Sequence, residues 1–436
     1  MNDVEKLALH GGPRGCEIPL PHDVWPPEPS SEELHELVEQ RRHDISIKGR
    51  SGIIQQFEDE FLQFLEGRRK FAVTFNSGTS ALQAAYLAIG VKAGDEIIGP
   101  ALTFHAALTP SFLLGAEIRL IDVDVHTRCI DPASIERAIT QRTKAITVVH
   151  QWGHPADMDA ILEIAARHNL SVIEDCSHAH GSTYKGQPVG TFGDVAVFSL
   201  QAAKMIYAGE GGILVTDERA IHDRAVLLGH YRDRSRDEIV DPTLQQFWVT
   251  GYGQKYRMSP LNAVVARHAL RAFSSRRDER HRCLNYFKKR IDEEIPYLET
   301  QRIEPWANMG AWYGFKPLYK AERLNGLTLK TFIDIVTAEG LEISKASAPV
   351  LASQPLFTET CNPLTGAVRQ VSNERSMLKN ANQLEQQQLS MPTFTDWKAC
   401  QPLIDQYIFV LKKVWEWRDF MSEDGFVPNE QFSIAV

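Results

Sequence analysis

Between residues 70 and 228, short apolar runs alternate with stretches whose apolar positions recur every three or four residues. The runs at 72–75, 96–99, 117–122, 145–150, 170–175, 194–200 and 212–216 predict strands. Between them, "TSALQAAYLAIG" and "DMDAILEIAARHN" carry the helical spacing; Met158, Ile161 and Ala165 share one face. Strand–helix alternation of this kind predicts an α/β fold: a three-layer, mostly parallel sheet. In such a sheet, sites collect at the carboxyl ends of strands. A long helical stretch at 259–293 follows "YRMSP", and the region 310–420 reads as a smaller C-terminal α+β unit. The domains expected are therefore 1–265, an N-terminal arm and large domain, and 266–436, a small domain. Within the latter, the polar stretch 360–390 predicts a long surface connection with a helix.

Composition narrows the function classes. A chain of 436 residues can bury two cores. Its net charge of −9, with no long basic run, argues against a nucleic-acid or anionic-membrane surface. No stretch approaches a membrane span, and "MNDVEKLALHGGPRG" lacks the pattern of a signal peptide. Six cysteines lie scattered without a CxxC pair, which predicts reduced thiols in a cytoplasm, no disulfide frame and no zinc site.

Three strand ends carry candidate chemistry. In "FNSGTSAL" (75–82) small residues lead from a strand into a helix. Free amides at a helix start can hold an anion, with Ser77, Thr79 and Ser80 hydroxyls beside them, or the serines simply cap the helix. In "LSVIEDCSHAHG" (170–181) Glu174, Asp175, His178 and His180 stand at a strand's carboxyl end. They are a solvated terminus, a partial metal set, or a carboxylate able to keep a heteroaromatic nitrogen protonated. In "FSLQAAKMIYAGEGG" (198–212) Lys204 follows an apolar strand and precedes a glycine-rich turn. A lysine there either snorkels to water or is desolvated into a nucleophile able to form a Schiff base. Together, a phosphate cradle, an acid for a ring nitrogen and an amine meet the three needs of pyridoxal phosphate.

The motifs "NSGTSAL", "GHPADMD", "EDCSHAHG", "GDVAVFSLQAAKMIYAGEGG" and "YRMSPLNAVVA" resemble the DegT/DnrJ/EryC1/StrS aminotransferases, from about residue 45 almost to the C-terminus. The resemblance implies fold type I and a homodimer with a shared active site. Lys204 matches the Schiff-base lysine and Asp175 the partner of the pyridine nitrogen. His178 matches the residue near the cofactor's phenolic oxygen. Gly78, Thr79 and Ser199 match the phosphate ligands, and Phe104 matches the ring that stacks on the pyridine. Lys255 stands where the family usually has an Asn that reaches the neighbouring subunit's cofactor phosphate.

The reaction implied is transfer of an amine from L-glutamate or L-glutamine to a keto-sugar or cyclitol ketone, in amino-sugar or aminocyclitol biosynthesis for antibiotics or surface polysaccharides. The segment "LALHGGPRGCEIPLPHDVWPPE" and the Gln in "FSLQAAK" lean toward the aminocyclitol and aminohydroxybenzoate branch. A sugar-dehydratase relative carries His in place of the Schiff-base lysine, so Lys204 argues against that reaction. A non-catalytic, cofactor-binding regulator would need a reading surface for nucleic acid, and the sequence shows none.

Overall fold

The structure is a computed structural model that describes residues 6–20, 25–364, 366 and 375–422, and the backbone of 425–426. Seven strands form its central sheet: β1 (Phe71–Phe75), β2 (Glu96–Pro100), β3 (Glu117–Ile121), β4 (Thr143–Val149), β5 (Ser171–Asp175), β6 (Val195–Ser199) and β7 (Gly212–Thr216). Their order across the sheet is β1-β7-β6-β5-β4-β2-β3. All run parallel except β7, which is antiparallel to both neighbours. The reason lies in the connection 200–211, which contains no helix. A parallel return needs a crossover, usually helical, whereas a chain that doubles straight back pairs antiparallel.

Helices α1 (Gly52–Phe64), α2 (Gly78–Ala88), α3 (Met158–His168), α4 (Arg219–Gly229) and α5 (Pro260–Arg271) enclose the sheet. Strand residues alternate between its faces. Val73, Phe75, Val195, Val197 and Leu214 pack with α2 and α4. Ala72, Ala196, Phe198, Ile213 and Val215 pack with α1 and α5 on the other side, where α3 covers Ile98, Ile146 and Val148. The same alternation sends Asp175 and Ser199 to the α2 side and Glu174 to the opposite one, because Asp175 pairs with Val197 and Glu174 with Ala196.

A second core gathers around α6 (Phe273–Glu294) and the later helix α8 (Trp397–Glu416), with Phe287, Phe332 and Tyr407 at its centre. Between them in the chain, α7 (Lys379–Gln387) sends Ala381 and Leu384, with Val350 and Phe357, back into the α2 core. Leu7 and Cys16, from the N-terminal arm, instead join the second core. The chain thus stitches the two cores together at both ends. Residues 365 and 367–374 of the polar connection lie outside the described residues, as do 21–24 of the N-terminal segment. None of the six cysteines forms a disulfide. Among the described residues no helix is long and apolar enough to cross a membrane.

Candidate active site

At the β1–α2 turn both readings of "NSGTS" hold at once. Ser77 is the N-cap: its Oγ accepts from the Ser80 amide at 3.1 Å, and Ser80 Oγ accepts from the Ser77 amide at 3.2 Å. These two hydroxyls are thereby committed to the helix, while Thr79 stays exposed on the first turn. Two glycines make the surroundings possible. A Cβ at Gly78 would stand 2.9 Å from Ser199 Cβ and 3.1 Å from its Cα. A Cβ at Gly212 would lie 2.4 Å from the Ser77 carbonyl oxygen and 2.6 Å from the Gly78 nitrogen. Without side chains there, the start of α2, the end of β6 and the start of β7 converge on one point.

The acids at the end of β5 have separate duties. Glu174 is fully buried and accepts from the amides of Gly190, Phe192 and Gly193 at 2.7–2.8 Å. His150 lies 3.1 Å away and Arg69 3.6 Å. Burial raises its carboxyl, but His150, Arg69 and the Gly193 amide outweigh this and hold it below the ordinary value. His150, Glu174 and Cys176 come close enough to enclose a metal ion, yet both Glu174 oxygens already serve these protein donors. Among the described residues the Asp175 carboxylate accepts from Ser177, whose amide donates to Oδ1 at 3.0 Å. Burial lifts its carboxyl above the ordinary value, against the opposing pull of the Ser177 bonds and the Lys204 charge. A cationic N–H set against Asp175 would offset that cost.

Lys204 sits in the tight 200–211 loop. The loop folds on itself through Ala202 N to Gly209 O at 2.8 Å and Ala208 N to Leu200 O at 2.7 Å, with Gly209 in the left-handed region. Only 7% of Lys204 is exposed. Burial lowers its ammonium to about 8, with Asp175 pulling the other way. The Nζ stands over Tyr313, 3.9 Å from the ring centroid. Tyr313 in turn lies nearly parallel to His178 at 4.1 Å, and His178 to Trp152 at 5.1 Å. Burial, then the charge of Lys204, holds His178 well below its ordinary value, so its ring is neutral.

These pieces line one cavity of about 440 Å³. It brings together Gly78, Thr79, Phe104, Asp175, His178, Ser199 and Lys204. Phe104 is 62% exposed, an unusually open position for a phenylalanine. Lys255 lies elsewhere: it is exposed, bridged through its backbone to His230, and not among the cavity's residues. His180 is buried against Phe198, and burial takes it down to about 3. Sequence reasoning missed Tyr313 and Trp152; their only signal was an aromatic cluster, "AWYGF", and a Trp just past the end of β4.

The residues present fit pyridoxal phosphate. Helix-start amides stand at one place in the cavity, a buried carboxylate at another, and a desolvated amine between apolar neighbours. Thr103 and His178, both lining the cavity, have buried atoms, Oγ1 and Nδ1, with no partner among the described residues. Orphaned polar atoms beside a cavity of this size suit a polar ligand.

Comparison with known proteins follows the same line. The model of the DegT/DnrJ/EryC1/StrS aminotransferase family matches residues 27–400. The L-glutamine:scyllo-inosose aminotransferase of Streptomyces griseus is 34% identical over 349 residues, 79% of this chain and 81% of that protein. The GDP-perosamine synthase of Escherichia coli O157:H7 is 37% identical over 251 residues, 58% of this chain and 66% of that protein. The crystal structure of 3-amino-5-hydroxybenzoic acid synthase superposes with a TM-score of 0.76 at 25% identity, covering 91% of this chain and 98% of that one.

Proposed function

We propose that this chain, which belongs to the DegT/DnrJ/EryC1/StrS aminotransferase family, moves an amino group from L-glutamine or L-glutamate to a cyclitol ketone or a keto-sugar. It is a pyridoxal-phosphate-dependent aminotransferase. The donor and cyclitol acceptor are supported by the name of the Streptomyces griseus relative, and a sugar acceptor by the perosamine synthase. The observation that carries the reading is Lys204, buried and with its ammonium lowered to about 8 in the same cavity as Asp175.

Bound pyridoxal phosphate supplies the carbonyl that takes up the amine and a ring that accepts electrons. We assign the amides of Gly78 and Thr79 and the hydroxyl of Ser199 to its phosphate, the carboxylate of Asp175 to its ring nitrogen, and His178 to its phenolic oxygen. Phe104 offers an exposed ring to stack on it. Lys204 attaches it through Nζ. Near neutral pH an amine with a lowered pKa both takes and returns a proton readily. Lys204 Nζ, freed when the donor amine takes its place, would remove the proton from the donor's Cα and, in the second half of the reaction, deliver a proton to the acceptor carbon that gains the amine. We further infer a cytoplasmic homodimer, in which Lys255 of one protomer serves the phosphate held by its neighbour, and a place in amino-sugar or aminocyclitol biosynthesis.

The test is direct. Borohydride reduction of the protein, followed by peptide mass spectrometry, is expected to place the cofactor on Lys204, and incubation with labelled L-glutamine and a panel of ketones to give a labelled cyclitol or sugar amine. An adduct on another lysine removes the assignment; a labelled product of another class removes the acceptor reading.

A further inference from the structure

Arg280 lies on α6 with 7% of its surface exposed. Its Nη1 donates to the Ala311 carbonyl at 3.3 Å, and its guanidinium stands 5.2 Å from the Trp25 ring centroid. Its Nε is buried without a partner, and no carboxylate among the described residues forms an ion pair with it. Burial lowers the group to about 10, so it remains a cation at neutral pH. A buried charge without a counter-ion costs stability. Lysine or arginine in that position is ordinarily found paired.

The surroundings indicate what would pair with it. Arg280 lines a cavity of about 210 Å³ together with Ala203, Tyr313 and Thr393. This cavity adjoins the one described above: Tyr313 lines both, and Ala203 immediately precedes Lys204. A guanidinium presents a planar fork that matches a carboxylate with two parallel hydrogen bonds. Of the two substrates, a neutral cyclitol or sugar ketone has no carboxylate, whereas every amino-acid donor has one bonded to the carbon from which Lys204 must take a proton.

We propose that Arg280 binds the α-carboxylate of the amino donor and selects amino acids over simple amines. The assignment rests on the aminotransferase reading. It places donor recognition on α6, in the second core, and leaves the proton-moving amine on the sheet.

The holoenzyme and its Arg280→Lys and Arg280→Gln variants test this through the cofactor's own absorbance. L-glutamine is titrated into each, in parallel with L-glutaminol, which lacks the carboxylate. For Arg280→Gln the apparent dissociation constant of L-glutamine is expected to rise about 10- to 100-fold, the effect of losing a hydrogen bond to a charged group. Arg280→Lys is expected to fall between, and the constant for L-glutaminol to stay the same in all three. A parallel loss for both ligands means a structural role and overturns the proposal, as does an unchanged constant for L-glutamine. Should Arg280→Gln fail to fold, the Lys variant decides by the same ratio. A wild-type protein that responds to neither L-glutamine nor L-glutamate removes the donor reading itself, a distinct result from wild-type response with indifferent variants.

Discussion

Lys204 and Tyr313 meet across the two cores, with the lysine Nζ 3.9 Å from the centre of the tyrosine ring. Lys204 comes from the loop after β6, at the carboxyl end of an interior strand. Tyr313 follows Trp312, a member of the second core. A ring face attracts an ammonium, so Tyr313 partly compensates the burial that weakens the lysine's hold on its proton. It gives the amine a fixed place without the full charge of a carboxylate at contact.

Replacing that ring shifts the titration of the lysine in a defined direction. Tyr313→Leu removes attraction for the charged form alone, so the amine loses its proton at lower pH. A cation–π contact of about 0.5–2 kcal/mol corresponds to roughly 0.4 to 1.5 pH units. The measurement is the pH midpoint for cofactor attachment to the cofactor-free protein, expected near 8 for the wild type. Tyr313→Phe is expected to keep the wild-type midpoint, and Tyr313→Leu to lower it.

Burial of Lys204 also destabilises the cofactor-free fold. Its folded-state pKa is lowered to about 8 from the ordinary 10.5, so the unfolded chain holds more protons between those values. Stability therefore rises with pH across that window, and the penalty is complete below it. Lys204→Met removes the buried charge. The variant is expected to unfold at higher denaturant than wild type at pH 7, by an amount of order 3 kcal/mol, with the difference shrinking toward pH 10.5.

Gly212 tests the convergence of the three segments. In Gly212→Ala the added Cβ would meet backbone, the Ser77 carbonyl and the Gly78 nitrogen, which cannot rotate away as a side chain would. The start of α2 must move. Stability is expected to fall by about 1–3 kcal/mol, and cofactor affinity by more than the stability loss alone accounts for, read by titration of the cofactor-free protein at a temperature where both forms are folded.

Lys255 is exposed and does not line the cavity of its own chain, so the proposed role in cofactor binding calls for a second protomer. Lys255→Ala is expected to weaken cofactor binding about 10-fold, in the range of one lost charged contact. In mixed dimers with Lys204→Ala, the defect is expected to follow the partner's site. Unchanged affinity in Lys255→Ala makes Lys255 an ordinary surface lysine.

The seven strands were legible because each is an apolar run bounded by turn residues, and they fall where those runs fall. The reversal of β7 was not, since direction follows from the helix-free connection 200–211 and from pairing with β1, a strand far earlier in the chain. Gly78, Asp175, Ser199 and Lys204 were legible because small, acidic and basic residues at strand ends stand out against apolar neighbours. The separate fates of Glu174 and Asp175 depend on which sheet face carries the cavity, and adjacent letters do not say. Tyr313 and Trp152 belong to segments with no strand or helix signal, and Arg280, although on the predicted helical stretch 259–293, has nothing beside it in the sequence that says what it faces. Folding of the second core against the first brings Tyr313 to the cavity and Arg280 to the one that adjoins it.

The mutual bonds of Ser77 and Ser80 fix the first turn of α2 within the chain itself. Its amides are therefore oriented by the chain's own bonds and not by a phosphate. An anion docking there gives up its own water and freedom but orders little protein, so affinity at this end of the cavity reflects charge and geometry with a small conformational-entropy cost. Ser80→Ala would return that cost to the binding step, and its signature would be a less favourable binding entropy alongside a nearly unchanged contact enthalpy.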